Sequence, residues 1–242
     1  MCGRFYVDDD LAEEVTQMFP AAKREGLLSR PAGDVVPSQK AAVLMRGRAG
    51  AGAGTAEDLL LTSRIFGFAL PGRSSPAPGR IPPEPEAPGR FTGQGTPESP
   101  DRVPAVSKPQ RTAAHLCMNA RAETAESRPA FWEAMRHSRC VIPVSAFYEF
   151  SPEKEKVAFR LGDGVFFLGG CVREDRFVIL TTASNASVAP VHPRMPVIIR
   201  REDVLRWILS PDIPRDCLTG QMPALSVHRE YEQLSLDLSS MM

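Results

Sequence analysis

The beginning of the chain carries two groups that could react together. In Met1-Cys2-Gly3-Arg4, removal of Met1 would leave Cys2 as an amino-terminal residue with a free amine beside its thiol. The ordinary pKa values, about 8 for an α-amine and about 8.5 for a thiol, give each group a reactive fraction near neutral pH. The alternative interpretation of Cys2 is a small, buried core residue.

A single carboxylate stands in an apolar segment further along the chain. Glu149 is the only charge within residues 144–150, which otherwise predict a mainly apolar strand. If the side chain is buried, its pKa rises and it can transfer protons. If it lies at the end of an edge strand, it reaches water and has no such role. The sequence alone gives these two interpretations equal weight.

A proline-rich turn brings a histidine and an arginine together. His192 and Arg194 lie two positions apart, and Pro193 and Pro196 restrict the backbone around them. A histidine can act as acid or base at neutral pH, and an arginine can hold a phosphate. The alternative is a rigid surface turn without chemistry.

Asn119 and Arg121 lie just before a predicted short helix, in a segment without hydrophobic alternation. The asparagine amide could orient a reacting carbonyl, and the guanidinium suits phosphate. A capping asparagine and a solvated arginine are the alternative. No carboxylate or histidine cluster has the spacing of a metal site, and no glycine-rich phosphate loop is present, so no metal and no cofactor are predicted.

Apolar spacing predicts many strands and few helices. Residues 4–7 form the first strand, after which Asp8 is expected to cap a helix over Leu11 to Phe19. Further strands are predicted at 41–45, 59–70, 139–150, 157–161, 165–172, 176–182 and 197–199. Two more short helices are predicted, at 129–135 and 201–209. This pattern is typical of an α+β fold built on a curled or barrel-like, mainly antiparallel sheet.

One domain is predicted to span residues 1–242, with an insertion at 71–109. That segment contains 11 of the 23 prolines in the chain, and proline-rich stretches neither pair in sheets nor continue helices. We therefore expect a flexible surface insertion there, with no reactive residues in it.

Composition limits the partners and the compartment. The 29 basic and 29 acidic residues cancel, so a nucleic acid would have to bind a local basic patch. The five cysteines are widely spaced and lack a C-x-x-C pair, which argues against a disulfide framework and a zinc site. No signal peptide or membrane span is apparent, so we expect a cytoplasmic protein without a membrane partner, and a monomer.

Several motifs together resemble the SOS-response-associated peptidase (SRAP) family. They are the Met-Cys-Gly-Arg start, Asn-Ala-Arg-Ala-Glu at 119–123, Phe-Tyr-Glu at 147–149 and His-x-Arg-Met-Pro at 192–196. Val36-Pro37-Ser38-Gln39 is similar to a further element of that family. Their order and spacing, rather than any one motif, carry the resemblance.

The resemblance implies that the protein loses Met1 and captures abasic sites in single-stranded DNA as a thiazolidine on Cys2. It would make Asn119 a positioning residue, Glu149 a proton-transfer group and His192 an aid to sugar-ring opening and reversal. Arg4, Arg121 and Arg194 would bind phosphate. Phe68 and Phe150 stand where the family usually has tryptophan, and they would stack on bases. In a bacterium the protein would associate with the nucleoid.

Three other functions compete with this one. Class II glutamine amidotransferases also begin Met-Cys-Gly, which would make the chain an amino-terminal-nucleophile amidohydrolase. A single-stranded DNA binder without catalysis is the second alternative. The third is a peptidase that acts on other proteins rather than on Met1 alone.

Overall fold

The structure is a computed structural model that describes residues 2–27, 31–47, 55–70 and 115–229. The chain divides into one unit of residues 1–70 and 116–242 and a second unit of residues 71–115. The predicted insertion at 71–109 lies outside the described residues, so its flexibility stays a prediction. Among the described helices, none is long and apolar enough to cross a membrane.

The described part of the chain contains short helices and many strands. The strands are β1 (Arg4–Val7), β2 (Lys23–Arg24), β3 (Gly33–Val35), β4 (Lys40–Arg46), β5 (Leu59–Phe66), β6 (Phe68–Leu70), β7 (His115–Cys117), β8 (Asn119–Arg121), β9 (Arg139–Val144), β10 (Ala146–Phe150), β11 (Lys156–Arg160), β12 (Phe166–Arg173), β13 (Arg176–Ala183), β14 (Arg194–Pro196), β15 (Ile198–Ile199) and β16 (Ser226–Arg229). The helices are α1 (Leu11–Met18), α2 (Ala122–Ala125), α3 (Trp132–His137), α4 (Val204–Leu209) and α5 (Arg215–Thr219), with 3-10 helices at Ala56–Asp58 and Arg201–Asp203.

One sheet has five strands in the order β16-β11-β10-β1-β3, all antiparallel. Its central strands alternate between buried and more exposed residues, as strands with one face on the core do. Phe5 and Val7 of β1 and Phe147 of β10 point into the core and are at most 5% exposed. The opposite face carries the polar and partly exposed side chains.

The larger sheet has nine strands, and its main path runs β14-β13-β12-β9-β4-β5-β2. A further pairing between β13 and β5 turns part of this sheet into a ring, while β8 joins β13 and β15 joins β12. Phe66 of β5 and Phe177 of β13 stack across the closure with ring centroids 5.2 Å apart. These features confirm the predicted α+β class with a curled, mainly antiparallel sheet.

The predicted single strand at 139–150 is wrong, because the chain breaks at Ser145 into β9 and β10. β9 belongs to the nine-stranded sheet and β10 to the five-stranded one. The backbone N–H of Ser145 donates to the carbonyl of Tyr6 at 3.0 Å, which holds the chain against β1 at this corner. The corner brings β10 beside the amino-terminal strand.

The helices differ from the prediction in their details. Asp8 does not cap α1, because the helix begins at Leu11 and Asp10 occupies the N-cap position. The helix predicted at 129–135 lies at Trp132–His137, and α5 was not predicted. The helix predicted at 201–209 begins as a 3-10 turn and continues as α4.

A buried arginine joins two helices to the ring. Arg139, at the start of β9, is 2% exposed. Its Nη1 donates to the Met135 carbonyl at 2.8 Å, and its Nε donates to the Trp207 carbonyl at 2.6 Å. Its Nη2 donates to the Ser210 carbonyl. These bonds satisfy carbonyls at the carboxyl ends of α3 and α4, which a helix cannot satisfy by itself.

Candidate active site

Cys2 lies just ahead of β1 and is fully buried. Its Sγ donates a weak hydrogen bond to the carbonyl of Arg4 at 3.7 Å. Burial, and then the negative charge of Glu149, raise the pKa of the Cys2 thiol well above its usual range. The thiol is therefore neutral at neutral pH, and a thiolate forms there only when a base takes its proton.

Glu149 lies on the inner face of β10 and is 3% exposed. The register of β10 on β1 pairs Arg4 with Tyr148, so the chain ahead of β1 passes beside Glu149. Burial raises the pKa of Glu149, while electrostatic interactions with the amino terminus and with His192 act in the opposite direction. The structure thus shows the buried carboxyl, and not the solvated one, of the two interpretations that the sequence left open.

His192 is fixed by the backbone that follows it. Its Nδ1 lies 3.0 Å from the N–H of Arg194 and 2.9 Å from the carbonyl oxygen of the same residue. Nδ1 accepts from the Arg194 N–H in one tautomer of the ring and donates to the Arg194 carbonyl in the other, and both contacts fix the direction of the ring. His192 also acts on Glu149 electrostatically, which opposes the rise that burial causes in the pKa of that carboxyl.

The side-chain amide of Asn119 is buried without a hydrogen-bond partner among the described residues. It lies on β8, opposite Ile179 of β13. Both the Oδ1 and the Nδ2 of its carboxamide are buried and have no hydrogen-bond partner among the described residues. A buried polar group without a partner costs about 1–3 kcal/mol. An amide left in this state offers a donor and an acceptor to a ligand.

The three arginines predicted to bind phosphate have different surroundings. Arg121 is exposed. Arg4 forms an ion pair with Asp34 at 3.3 Å and keeps 38% of its side chain exposed. Arg194 is more enclosed, because only 19% of its side chain is exposed.

The guanidinium of Arg194 is held by groups of the protein itself. Nη1 and Nη2 donate to the two carboxylate oxygens of Glu123 at 2.7 and 2.9 Å. Nη2 also donates to the carbonyl of Thr181. The ion pair links the segment that carries Asn119 to the segment that carries His192. A DNA phosphate can reach this guanidinium only in competition with Glu123.

The two phenylalanines predicted to stack on bases lie in opposite environments. Phe150, at the end of β10, is 48% exposed. Phe68 is fully buried, packs against Phe131 with centroids 5.9 Å apart, and lies beneath the guanidinium of Arg173 at 4.5 Å. A base contact at Phe68 would need this ring to become exposed, whereas Phe150 already offers a face. Both roles stay predictions.

The sequence analysis did not predict the ion pairs that Glu123 forms with Arg194 and Asp34 forms with Arg4. Glu123 ends the Asn-Ala-Arg-Ala-Glu motif, and its place in that motif was the available signal. Asp34 is held between Arg4 and Lys156 across two strands, and no local pattern indicates such a contact. The described residues contain no group of three histidine, cysteine or acidic side chains placed to hold a metal ion.

Comparison with known proteins identifies the family of this chain. The model of the SOS response associated peptidase (SRAP) family matches residues 1–234. The chain belongs to the SRAP family. Its relatives include the "Abasic site processing protein YoqW" of Bacillus subtilis, 28% identical over 130 residues, which are 48% of this chain and 58% of that protein. The "Abasic site processing protein YoaM" of the same organism is 29% identical over 128 residues, which are 46% and 56% of the two chains. The match thus spans less than two thirds of either relative.

Solved structures share the fold of this chain. A protein of Bordetella bronchiseptica superimposes with a TM-score of 0.58 at 17% identity and covers 94% of this chain and 99% of its own. A phage-related protein of the same organism gives a TM-score of 0.59 at 19% identity, with 94% and 93% covered. A protein of Bacteroides thetaiotaomicron gives 0.56 at 14% identity, with 94% and 91% covered.

Proposed function

We propose that this SRAP protein captures abasic sites in single-stranded DNA by forming a covalent bond through Cys2, after Met1 has been removed by the chain's own peptidase activity. The observation that carries the proposal is the buried pair of Cys2 and Glu149, which the register of β10 on β1 brings together. The names of the Bacillus relatives support abasic DNA as the substrate class.

The reaction follows from the two groups of an amino-terminal cysteine. The open form of an abasic sugar carries an aldehyde at C1′, which the amine of Cys2 attacks; loss of water then gives a Schiff base. The sulfur of Cys2 adds to the same carbon, the thiol proton ends on the nitrogen, and a five-membered thiazolidine closes. The balance is one aldehyde plus one aminothiol giving one thiazolidine and one water.

The surrounding residues supply proton transfer and orientation. Because the Cys2 thiol is buried and neutral, we assign the first attack to the amine and give Glu149 the task of taking the thiol proton at ring closure. Nε2 of His192 exchanges a proton with the sugar hydroxyl as the ring opens. The unpartnered amide of Asn119 accepts from one sugar hydroxyl and donates to another.

Four side chains around the reactive residues bind the DNA. Arg4 and Arg121 contact phosphates, Arg194 does so once Glu123 is displaced, and Phe150 stacks on a base. We propose that the protein acts as a monomer in the cytoplasm, with DNA as its only partner in the reaction. The five free cysteines fit a reducing compartment.

Intact mass spectrometry tests the proposal directly. The protein is measured before and after incubation with single-stranded DNA that bears one abasic site, beside Cys2→Ala and the control Cys217→Ala, which changes a buried cysteine of α5. We expect loss of Met1 and an adduct stable to denaturation in wild type and Cys217→Ala, and none in Cys2→Ala. A processed protein without an adduct would replace the proposal with amide hydrolysis or simple DNA binding. An equal adduct from Cys2→Ala would remove Cys2 from the mechanism.

A further inference from the structure

The five-stranded sheet has an outer face of which the proposed function uses only Arg4 and Phe150. Its side chains alternate with the buried ones along the strands and include Arg4, Tyr6, Tyr148, Phe150, Lys156 and Arg160. We call these six residues the outer face. Three are aromatic and three are basic, in a chain whose formal charges cancel.

The register places the cations of the outer face beside its rings. Arg4 lies opposite Tyr148, and Phe150 lies opposite Lys156. The ammonium of Lys156 lies 4.2 Å from the centroid of the Tyr148 ring. Aromatic rings with cations beside them are the arrangement that binds single-stranded nucleic acid, because bases stack on rings while phosphates meet the cations.

Asp34 occupies the position that an anion would take on this face. One of its oxygens, Oδ2, lies 3.3 Å from Nη1 of Arg4 and 3.4 Å from Nζ of Lys156. The three cations exceed this one carboxylate, so the face keeps a positive excess. A phosphate could replace the carboxylate between the same two cations.

Strand β10 carries the outer face on one side and, on the other, Glu149 of the reactive cluster, by which we mean Cys2, Glu149 and His192. Glu149 points inward from β10, and its neighbour Phe150 points outward and is 48% exposed. Because Phe150 ends β10, a DNA strand that passes around this end of β10 from Cys2 would meet Phe150 first and Tyr148 next on the outer face.

We propose that the outer face binds the stretch of single-stranded DNA that continues beyond the captured nucleotide. Bases stack on Phe150 and Tyr148, phosphates take the place of Asp34 between Arg4 and Lys156, and Tyr6 and Arg160 extend the surface across the neighbouring strands. The proposal rests on the proposed function for the choice of DNA as the ligand. It adds Tyr6, Tyr148, Lys156 and Arg160 to the binding surface and gives Asp34 the role of a competing anion.

The test measures affinity for undamaged oligothymidylates of increasing length, from about 4 to about 16 nucleotides. We expect affinity to rise with length in the wild type. Tyr148→Leu should lose about tenfold of affinity for the longer strands, since stacking on one ring is lost. Lys156→Gln should lower the magnitude of the salt slope by about 0.7, the value for one phosphate contact on a single strand.

The chain offers a matched control on a different element. Trp132 of α3 is 43% exposed, and the guanidinium of Arg136 lies 5.7 Å from its ring centroid. Trp132→Leu removes a similar aromatic and cation pair away from the outer face and should leave the length series unchanged. Asp34→Asn should act in the opposite direction and tighten binding, because it removes the competing anion.

Three outcomes would overturn the proposal. They are an unchanged length series in Tyr148→Leu, an equal loss in Trp132→Leu, and weaker binding in Asp34→Asn with an unaltered melting temperature. If Tyr148→Leu does not fold, the salt slope of Lys156→Gln decides, because that change removes no ring from the sheet. Since these measurements use undamaged DNA, a wild type that binds along the outer face but forms no adduct would reject the proposed function and keep this inference.

Discussion

Glu149 joins two properties that a proton-transfer group needs, namely burial and proximity to the atom it serves. Burial raises the pKa of Glu149 above its value in the unfolded chain. A carboxyl with a raised pKa contributes its full stability below the unfolded pKa of about 4.3 and loses that contribution as the pH rises through the folded pKa. At neutral pH its ionised form therefore costs folding free energy.

Glu149→Gln should accordingly be more stable than wild type at neutral pH, and the difference should vanish at pH values below about 4. The same change should slow adduct formation about 100-fold, since proton transfer contributes on that scale. Melting temperatures across pH, and adduct yield against time, measure the two effects. Glu133→Gln, at an exposed position of α3, is the control. A stability gain that does not depend on pH would show that ionisation of Glu149 is not its cause.

Glu123 and Arg194 form the second residue-level prediction. The carboxylate of Glu123 binds the guanidinium that is expected to meet a phosphate, and this contact lowers the pKa of Glu123. Glu123→Gln should therefore free Arg194, tighten binding to single-stranded DNA and steepen the salt slope by about 0.7.

Fluorescence anisotropy between low and moderate salt measures this slope, with Glu126→Gln on the same helical segment as the control. If Glu123→Gln instead lowers the melting temperature and leaves the slope unchanged, Arg194 serves to hold β14 to its neighbours and does not contact DNA.

At the scale of elements, Arg139 is the residue on which two helices depend. Its guanidinium satisfies carbonyls at the ends of α3 and α4, and it lies 5.7 Å from the Trp207 ring centroid. Arg139→Met should lower the free energy of unfolding by at least about 3 kcal/mol, because several buried carbonyls lose their donors. Denaturant unfolding measures this loss. The exposed neighbour Arg136→Met should change it little, and equal losses in both variants would contradict the assignment.

Much of this element structure follows from local patterns. Alternation of apolar residues marks β1 and β11, which have one face on the core, and continuous apolar runs mark β12 and β13, which are buried on both faces. The break at Ser145 gave no signal, since the residues on both sides are apolar and favour strands. The closure of β13 on β5 joins segments more than a hundred residues apart in the chain, and local periodicity carries no information about such a pairing.

The reactive cluster of Cys2, Glu149 and His192 was also predicted only in part from the sequence. The residue types of Cys2, Glu149 and His192 and their motifs marked them as candidates. Burial of Glu149 could not be decided, because it depends on β10 lying between β1 and β11 rather than at an edge. The engagement of Arg194 by Glu123 is likewise a contact between distant segments.

At the scale of the whole molecule, charge balance sets how DNA binding responds to salt. The formal net charge is zero, so attraction to DNA comes from a few local cations. Arg4, Arg121 and Lys156 supply about three phosphate contacts, which predicts a salt slope of roughly −2 for a single strand. Binding measured at several salt concentrations tests this value. A slope steeper than about −5 would indicate a basic surface elsewhere in the chain.

The corner at Ser145 also affects how the protein unfolds on heating. One uninterrupted segment runs from Arg139, which clamps the helices, through Ser145 to Glu149 in the reactive cluster. Because this segment belongs to both sheets, unfolding of one sheet displaces strands of the other. Unfolding of the described unit should therefore be cooperative, and heat inactivation should coincide with loss of the whole structure, leaving no partly folded form that still reacts.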